Sequence, residues 1–392
     1  EIARSLLPKL KRLELHNMAH VIASDLLFHY SCMEPSASLA KKYEKIAVLE
    51  QELDAVESKI RIYHSRIGLL CNTKESFTPA QIEVFKEAAT FAHPLLRLGY
   101  DNLNSVIYTI LVLRWSVEYD YPKVIETCDE ALTSFPQDHP RIRSLRFLFL
   151  YHMIIAFSAL GLLRDAKDTA KEAALLVPTG NFNWHMVLLR RIVACFHAGE
   201  YQEAYDLYKA HHQNPCSYEN INEYWYIIKG YLYFLIERGH IIPYDNERFS
   251  LGKFINQMPI YSQDKSGHNI NILLIQVLVR LKRKQFGQII DRAESLQAYR
   301  RAYARNPETK RANIFIQMIL KMEQCHFHRV RIEQRTQKLL EQLKDMPLRL
   351  GQNPAVEIIP YPVLWAEILG MLETKFTASK KKSIKGNTGD TK

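Results

Sequence analysis

His16 and His20 stand four residues apart near the start of the chain, with His29 and Cys32 following. On a helix such a pair shares one face and is able to grip zinc from one side. The acid that a metallohydrolase helix carries between its histidines is missing, because Glu14 precedes the pair. Cys325, His326 and His328 crowd too closely to set out a tetrahedral site without a fourth ligand from elsewhere. Both groups read as ordinary helix residues, so no metal and no cofactor is expected. The patterns GxGxxG, GxxxxGK[ST] and GxSxG are absent, which leaves no phosphate cradle and no nucleophile elbow. No catalytic residue is assigned, and the chain is not expected to be an enzyme.

Two further groupings suit binding. Between residues 280 and 311 stand Arg280, Lys282, Arg283, Lys284, Arg292, Arg300, Arg301, Arg305, Lys310 and Arg311, against Asp291, Glu294 and Glu308 alone. Such a charge excess reads as a solvated helix face or as a patch for an anionic partner. Phe286, Tyr299 and Tyr303 flank it and would suit stacking on bases. The second grouping is aromatic: Tyr218, Tyr224, Trp225, Tyr226, Tyr231, Tyr233 and Phe234. It runs around most of one helix, so much of it must be core, while Tyr224 and Trp225 are candidates to line a peptide groove.

Helices position these residues. Apolar residues recur at helical spacing, Pro falls between apolar runs, and no alternating run bounded by Asn-Gly or Asp-Gly turns is present. The fold class expected is all-α. Residues 1–33 read as a helical pair broken or capped at Asn17. From Ser38 to Cys71 the residues Ile46, Leu49, Leu53, Val56, Ile60, Tyr63, Ile67 and Leu70 form a heptad seam on one long helix. That seam packs within its own domain or joins two copies of the chain. Thr78 and Pro79 open the next helix as N-cap and first-turn residue.

Two segments read as one repeated unit. Phe147 to Pro178 carries Gly161, Ala166, Ala170 and Ala173, and His185 to Pro215 carries Gly199, Tyr201, Ala204 and Tyr208. Each is an apolar helix, a glycine turn, a second helix with small residues facing the first, and a proline stop. Such a unit cannot bury its apolar faces alone and implies a stack. Weaker copies end at Pro136, with Ala131, and cover Phe286, Ile289 and Ala293.

This pattern resembles tetratricopeptide repeats, with a spacing longer than the usual ~34 residues. Taken whole, the chain resembles uncharacterised bacterial helical-repeat proteins of that kind. The resemblance implies a solenoid, a right-handed superhelix of helix pairs, and brings no functional residues with it. In such repeats the first helices would line an inner groove through Leu148, Tyr151, Ile155 and Ser158, then Met186, Leu189, Val193 and Phe196. These are mostly apolar, so either the chain fills the groove itself or the ligand is apolar.

The expected organisation is an N-terminal helical region over 1–99, tetratricopeptide-like repeats over 100–239, C-terminal helical repeats over 240–374 and a disordered basic tail over 375–392. The tail holds six Lys against one Asp, half of the net charge of +10. Six scattered cysteines without a CxxC pair fit a reducing, cytoplasmic setting. The uncharged run 147–163 reads as a buried repeat helix, not a membrane span. The function expected is a non-catalytic scaffold for protein–protein or protein–peptide interaction. The alternatives are a nucleic-acid-associated protein using the basic face, and a peptide-sensing regulator.

Overall fold

In the computed structural model the described residues are 1–73, 77–135, 141–213, 218–244, 254, 268–302, 309–351 and 357–372. Of these, 84% are helical and none lies in a strand, so the protein is all-α as expected. Pro136, Pro140, Pro215, Tyr303, Arg305 and the tail 375–392 lie outside the described residues.

The first helices are α1 (Ile2–Arg12), α2 (His16–Phe28) and α3 (Ala37–Thr73). A π-turn over His29–Met33 joins the last two. The break between α1 and α2 falls at Glu14, at φ 56°, and Asn17 lies inside α2. Glu14 has a task there that its type alone does not announce. Its carboxylate accepts the backbone N–H groups of Asp101 and Asn102 at 2.9 and 2.8 Å, capping a distant helix with negative charge.

The first half of α3 buries Tyr43, Ala47, Glu50 and Leu53 and exposes Leu49. The expected apolar seam is thus rotated there, because its place is taken by a buried carboxylate. Glu50 accepts from His16 Nδ1 at 2.8 Å and pairs with Lys11 at 3.2 Å. His20 Nδ1 bonds the Ala47 carbonyl at 2.9 Å. The two histidines are thus spent on tying α2 to α3, and the apolar seam resumes at Ile60 and Ile67.

Next come α4 (Pro79–Ala92), α5 (Asp101–Glu118), α6 (Tyr121–Ser134), α7 (Ile142–Ala159), α8 (Leu163–Leu175), α9 (Phe182–Ala198) and α10 (Tyr201–Gln213). Thr78 and Gln81 close a capping box on α4, with Pro79 in its first turn. Asn181 caps α9 by accepting the Trp184 N–H at 2.8 Å. The chain continues through α11 (Glu219–Glu237), α12 (His268–Lys282), α13 (Phe286–Ala302), α14 (Lys310–Gln324), α15 (Arg329–Asp345) and α16 (Tyr361–Met371).

Each helix packs chiefly against its neighbours in sequence, and α9 also touches α7 and α11. Ala166, Ala170, Ala173 and Ala204 are fully buried, where small side chains let helices approach closely. At Gly230 an added Cβ would lie 2.6 Å from Ile275 Cδ1, so α11 and α12 also meet closely.

The turns repeat. At Gly161 the N–H bonds the Ser158 carbonyl and the next N–H reaches back to Phe157. Gly199 does the same with Phe196 and Cys195. Both glycines have positive φ, 75° and 74°, the left-handed conformation that closes a helix. The same bond pair, on the same left-handed residue, is found at Glu14, Tyr119, Gly239, Lys284 and His326. From Tyr119 to His326 these turns stand 42, 38, 40, 45 and 42 residues apart.

The helix α7 is long and apolar enough to cross a membrane by length and composition. It is packed against α6, α8 and α9.

Candidate functional site

The site builds around a loop that leaves the C-terminal helices and comes back. The chain exits α15 at Met346 and re-enters at Glu357 ahead of α16. Both ends meet at Arg311 on α14. Its guanidinium donates to the Leu343 carbonyl at 2.7 Å and to the Met346 carbonyl. It also grips the Glu357 carboxylate from two nitrogens, at 2.6 and 2.7 Å. Glu357 is 2% exposed, and the same carboxylate accepts the Tyr361 N–H at 3.0 Å, starting α16. Burial works against the Arg311 charge, but the Glu357 partner overrides it and raises the guanidinium further above its usual range. From α9, His197 Nε2 donates to the Glu357 carbonyl at 2.8 Å.

Between these pins the loop reaches across to the first half of the molecule. Leu350 is 3% exposed and enters the apolar cluster built from α3 to α9, to which no other buried residue beyond Val187 belongs among those described. The Tyr121 hydroxyl, at the start of α6, accepts the Leu350 N–H at 2.7 Å and donates to the Leu350 carbonyl at 3.1 Å. Arg190, itself 3% exposed on α9, donates to the Gly351 carbonyl at 2.7 Å and lies against the Tyr151 ring. Arg349 stands 4.9 Å over the Tyr119 ring. Burying one leucine is worth about 1.5–3 kcal/mol, and each backbone bond adds about 0.5–1.5 kcal/mol.

This is recognition of a non-helical segment through its main chain, with one side chain as anchor. Arg190 and His197 lie seven residues apart, hence on one face of α9. They stand one position beyond the expected inner stripe of Leu189, Val193 and Phe196. Those three are buried in the molecule's core and face no open groove. Tyr151, Ile155 and Ser158 are likewise buried. The polar grip was not visible in the sequence because its partners stand 229 and 161 residues apart.

Among the described residues the basic segment does not form one face. Arg280 is buried, donates to the Gln288 carbonyl at 3.1 Å, and burial followed by the Arg292 charge lowers its pKa. Arg311 belongs to the pin just described. Arg283 pairs with Glu237 at 3.3 Å, and Arg301 bonds Gln297 at 3.3 Å. Lys282 and Lys284 are exposed beside a turn and Arg300 is half-buried, so the outward charge is thinner than the sequence suggests. Trp225 is 4% exposed and stacks on His211 at 3.8 Å, placing it in the core, while Tyr224 is half-buried against it.

Cys195, Glu200 and Glu203 come close enough to hold a metal ion. Lys167 pairs with both carboxylates and Arg191 donates to Glu203 at 2.8 Å, so the acids are already neutralised. Burial alone would raise Glu203, but the bonds from Arg191 and Lys167 bring it down to about 2. Burial pushes the Cys195 thiol up to about 12, the opposite of what a metal thiolate requires. The arrangement locks α8 to the turn between α9 and α10.

No protein-family model, no curated protein and no solved structure matches this chain.

Proposed function

We propose that the protein is a non-catalytic helical-repeat scaffold, a tetratricopeptide-like stack of helix pairs that binds another protein or a peptide. The observation that carries this reading is the grip of Tyr121 and Arg190 on the non-helical backbone at Leu350 and Gly351. Helices that recognise a main chain through side-chain hydrogen bonds have the chemistry to take peptides. Six of the seven left-handed turns, from Tyr119 to His326, stand at near-regular spacing and support the repeat reading, with intervals longer than those of the usual repeat. The buried, scattered thiols Cys128, Cys195 and Cys325 support a reducing, cytoplasmic setting.

Affinity capture from nuclease-treated cell extract tests the reading. A protein partner retained at a stoichiometric level, and rebinding when purified, is the expected result. Recovery of nucleic acid alone from untreated extract, and of nothing after nuclease, would favour the basic segment and end the scaffold proposal.

A further inference from the structure

The loop between Met346 and Glu357 is closed at its base and inserted at its tip. Arg311 alone holds both ends, through the Leu343 and Met346 carbonyls on one side and the Glu357 carboxylate on the other. The tip is held by Tyr121 on α6 and by Arg190 on α9, the helix whose His197 also bonds the Glu357 carbonyl at the base. Arg311 is not one of the tip's partners among the described residues, so release of the tip leaves it holding α15 and α16. Compact loops with joined ends are a recurring functional device. An empty tip site would take the Gly351 carbonyl from the buried Arg190, leaving it the Tyr151 hydroxyl, and would uncover the apolar seat of Leu350, both at a cost. The site thus favours replacement of one backbone segment by another over vacancy.

We infer that residues 348–351 are an intramolecular plug, standing in for a partner's peptide at a site on α6 and α9. This inference rests on the peptide-binding reading above and gives it a ligand class. The peptide is non-helical, carries a leucine-sized aliphatic residue, and presents a free N–H and C=O there to the Tyr121 hydroxyl. A cation precedes the anchor, as Arg349 does over Tyr119, and a small residue follows it, as Gly351 does, leaving its carbonyl open to Arg190.

The test uses full-length protein and a fluorescein-labelled peptide with the sequence of residues 346–351. Leu350→Ala weakens the plug, and the account expects it to bind the peptide at least tenfold more tightly than wild type. Adding Tyr121→Phe should reverse most of that gain. A cooperatively folded Leu350→Ala protein that binds no better than wild type would overturn the inference. If that variant does not fold, hydrogen exchange on the wild type decides instead. The Leu350 amide should exchange at least a hundredfold faster than the amides of α9 near Arg190, and equal protection would mark the loop as fixed structure. A captured partner that binds wild type and Leu350→Ala alike would leave the scaffold reading standing and remove the plug.

Discussion

Glu357 and His152 show how single buried residues set the molecule's stability. Glu357 balances Arg311 at 2% exposure. Glu357→Gln leaves that guanidinium uncompensated and should cost about 3–5 kcal/mol, read as a lower urea midpoint. His152 is buried, and burial, then the Arg190 charge, hold its ring down to about 4 from the usual 6.5. The unfolded ring binds its proton first as pH falls. The stability is therefore fully present above pH 6.5 and is lost progressively toward pH 4, by about 3 kcal/mol. His152→Gln should flatten that slope. His185 and His197 are shifted in the same direction by burial and will leave a remainder. None of this was legible in the sequence, where nothing sets Glu14, Glu50 and Glu357 apart from the other acids. A buried carboxylate shows itself only by partners that folding brings from elsewhere.

At the scale of elements the sequence was more open. The glycine turns at 161 and 199, the burial of Ala166, Ala173 and Ala204, and the Thr78 cap all stand where the residue types put them. Four of the seven turns were hidden because Glu14, Tyr119, Lys284 and His326 occupy the left-handed position in place of glycine. A side chain there carries a strain of roughly 1–2 kcal/mol. His326 is exposed, so His326→Gly should stabilise the protein by about 1 kcal/mol, whereas Gly199→Ala should cost about the same. Paired thermal melts check both, and a shift of the same sign in the two variants would contradict the shared turn geometry. Ala173→Phe should overpack the contact of α8 with its neighbours and cost about 1–3 kcal/mol. An unchanged denaturation midpoint would show that the site is roomy.

At the scale of the whole molecule, the long-range loop matters most. Leu350 joins the helices of the first half to a segment that begins more than two hundred residues later. Local periodicity carries no record of such a contact, although the sequence left open a groove filled by the chain itself. The charge pattern misled in the other direction. Ten basic residues within 280–311 suggest one surface, yet Arg280 and Arg311 point inward and Arg283 is paired. A protein partner should therefore be indifferent to Arg300→Glu with Arg301→Glu unless it is itself acidic, and its affinity should change little between low and physiological salt.

The most direct measurement is a binding isotherm for the captured partner against three proteins: Leu350→Ala, Leu350→Ala with Tyr121→Phe, and Leu350→Ala with the Arg300→Glu, Arg301→Glu double reversal. The account predicts a several-fold loss of affinity on adding Tyr121→Phe, which in that background acts on the partner and not on the plug, with the double reversal changing nothing. An affinity unchanged on adding Tyr121→Phe but abolished by the double reversal, with a steep salt slope, would contradict it and move binding to the basic segment.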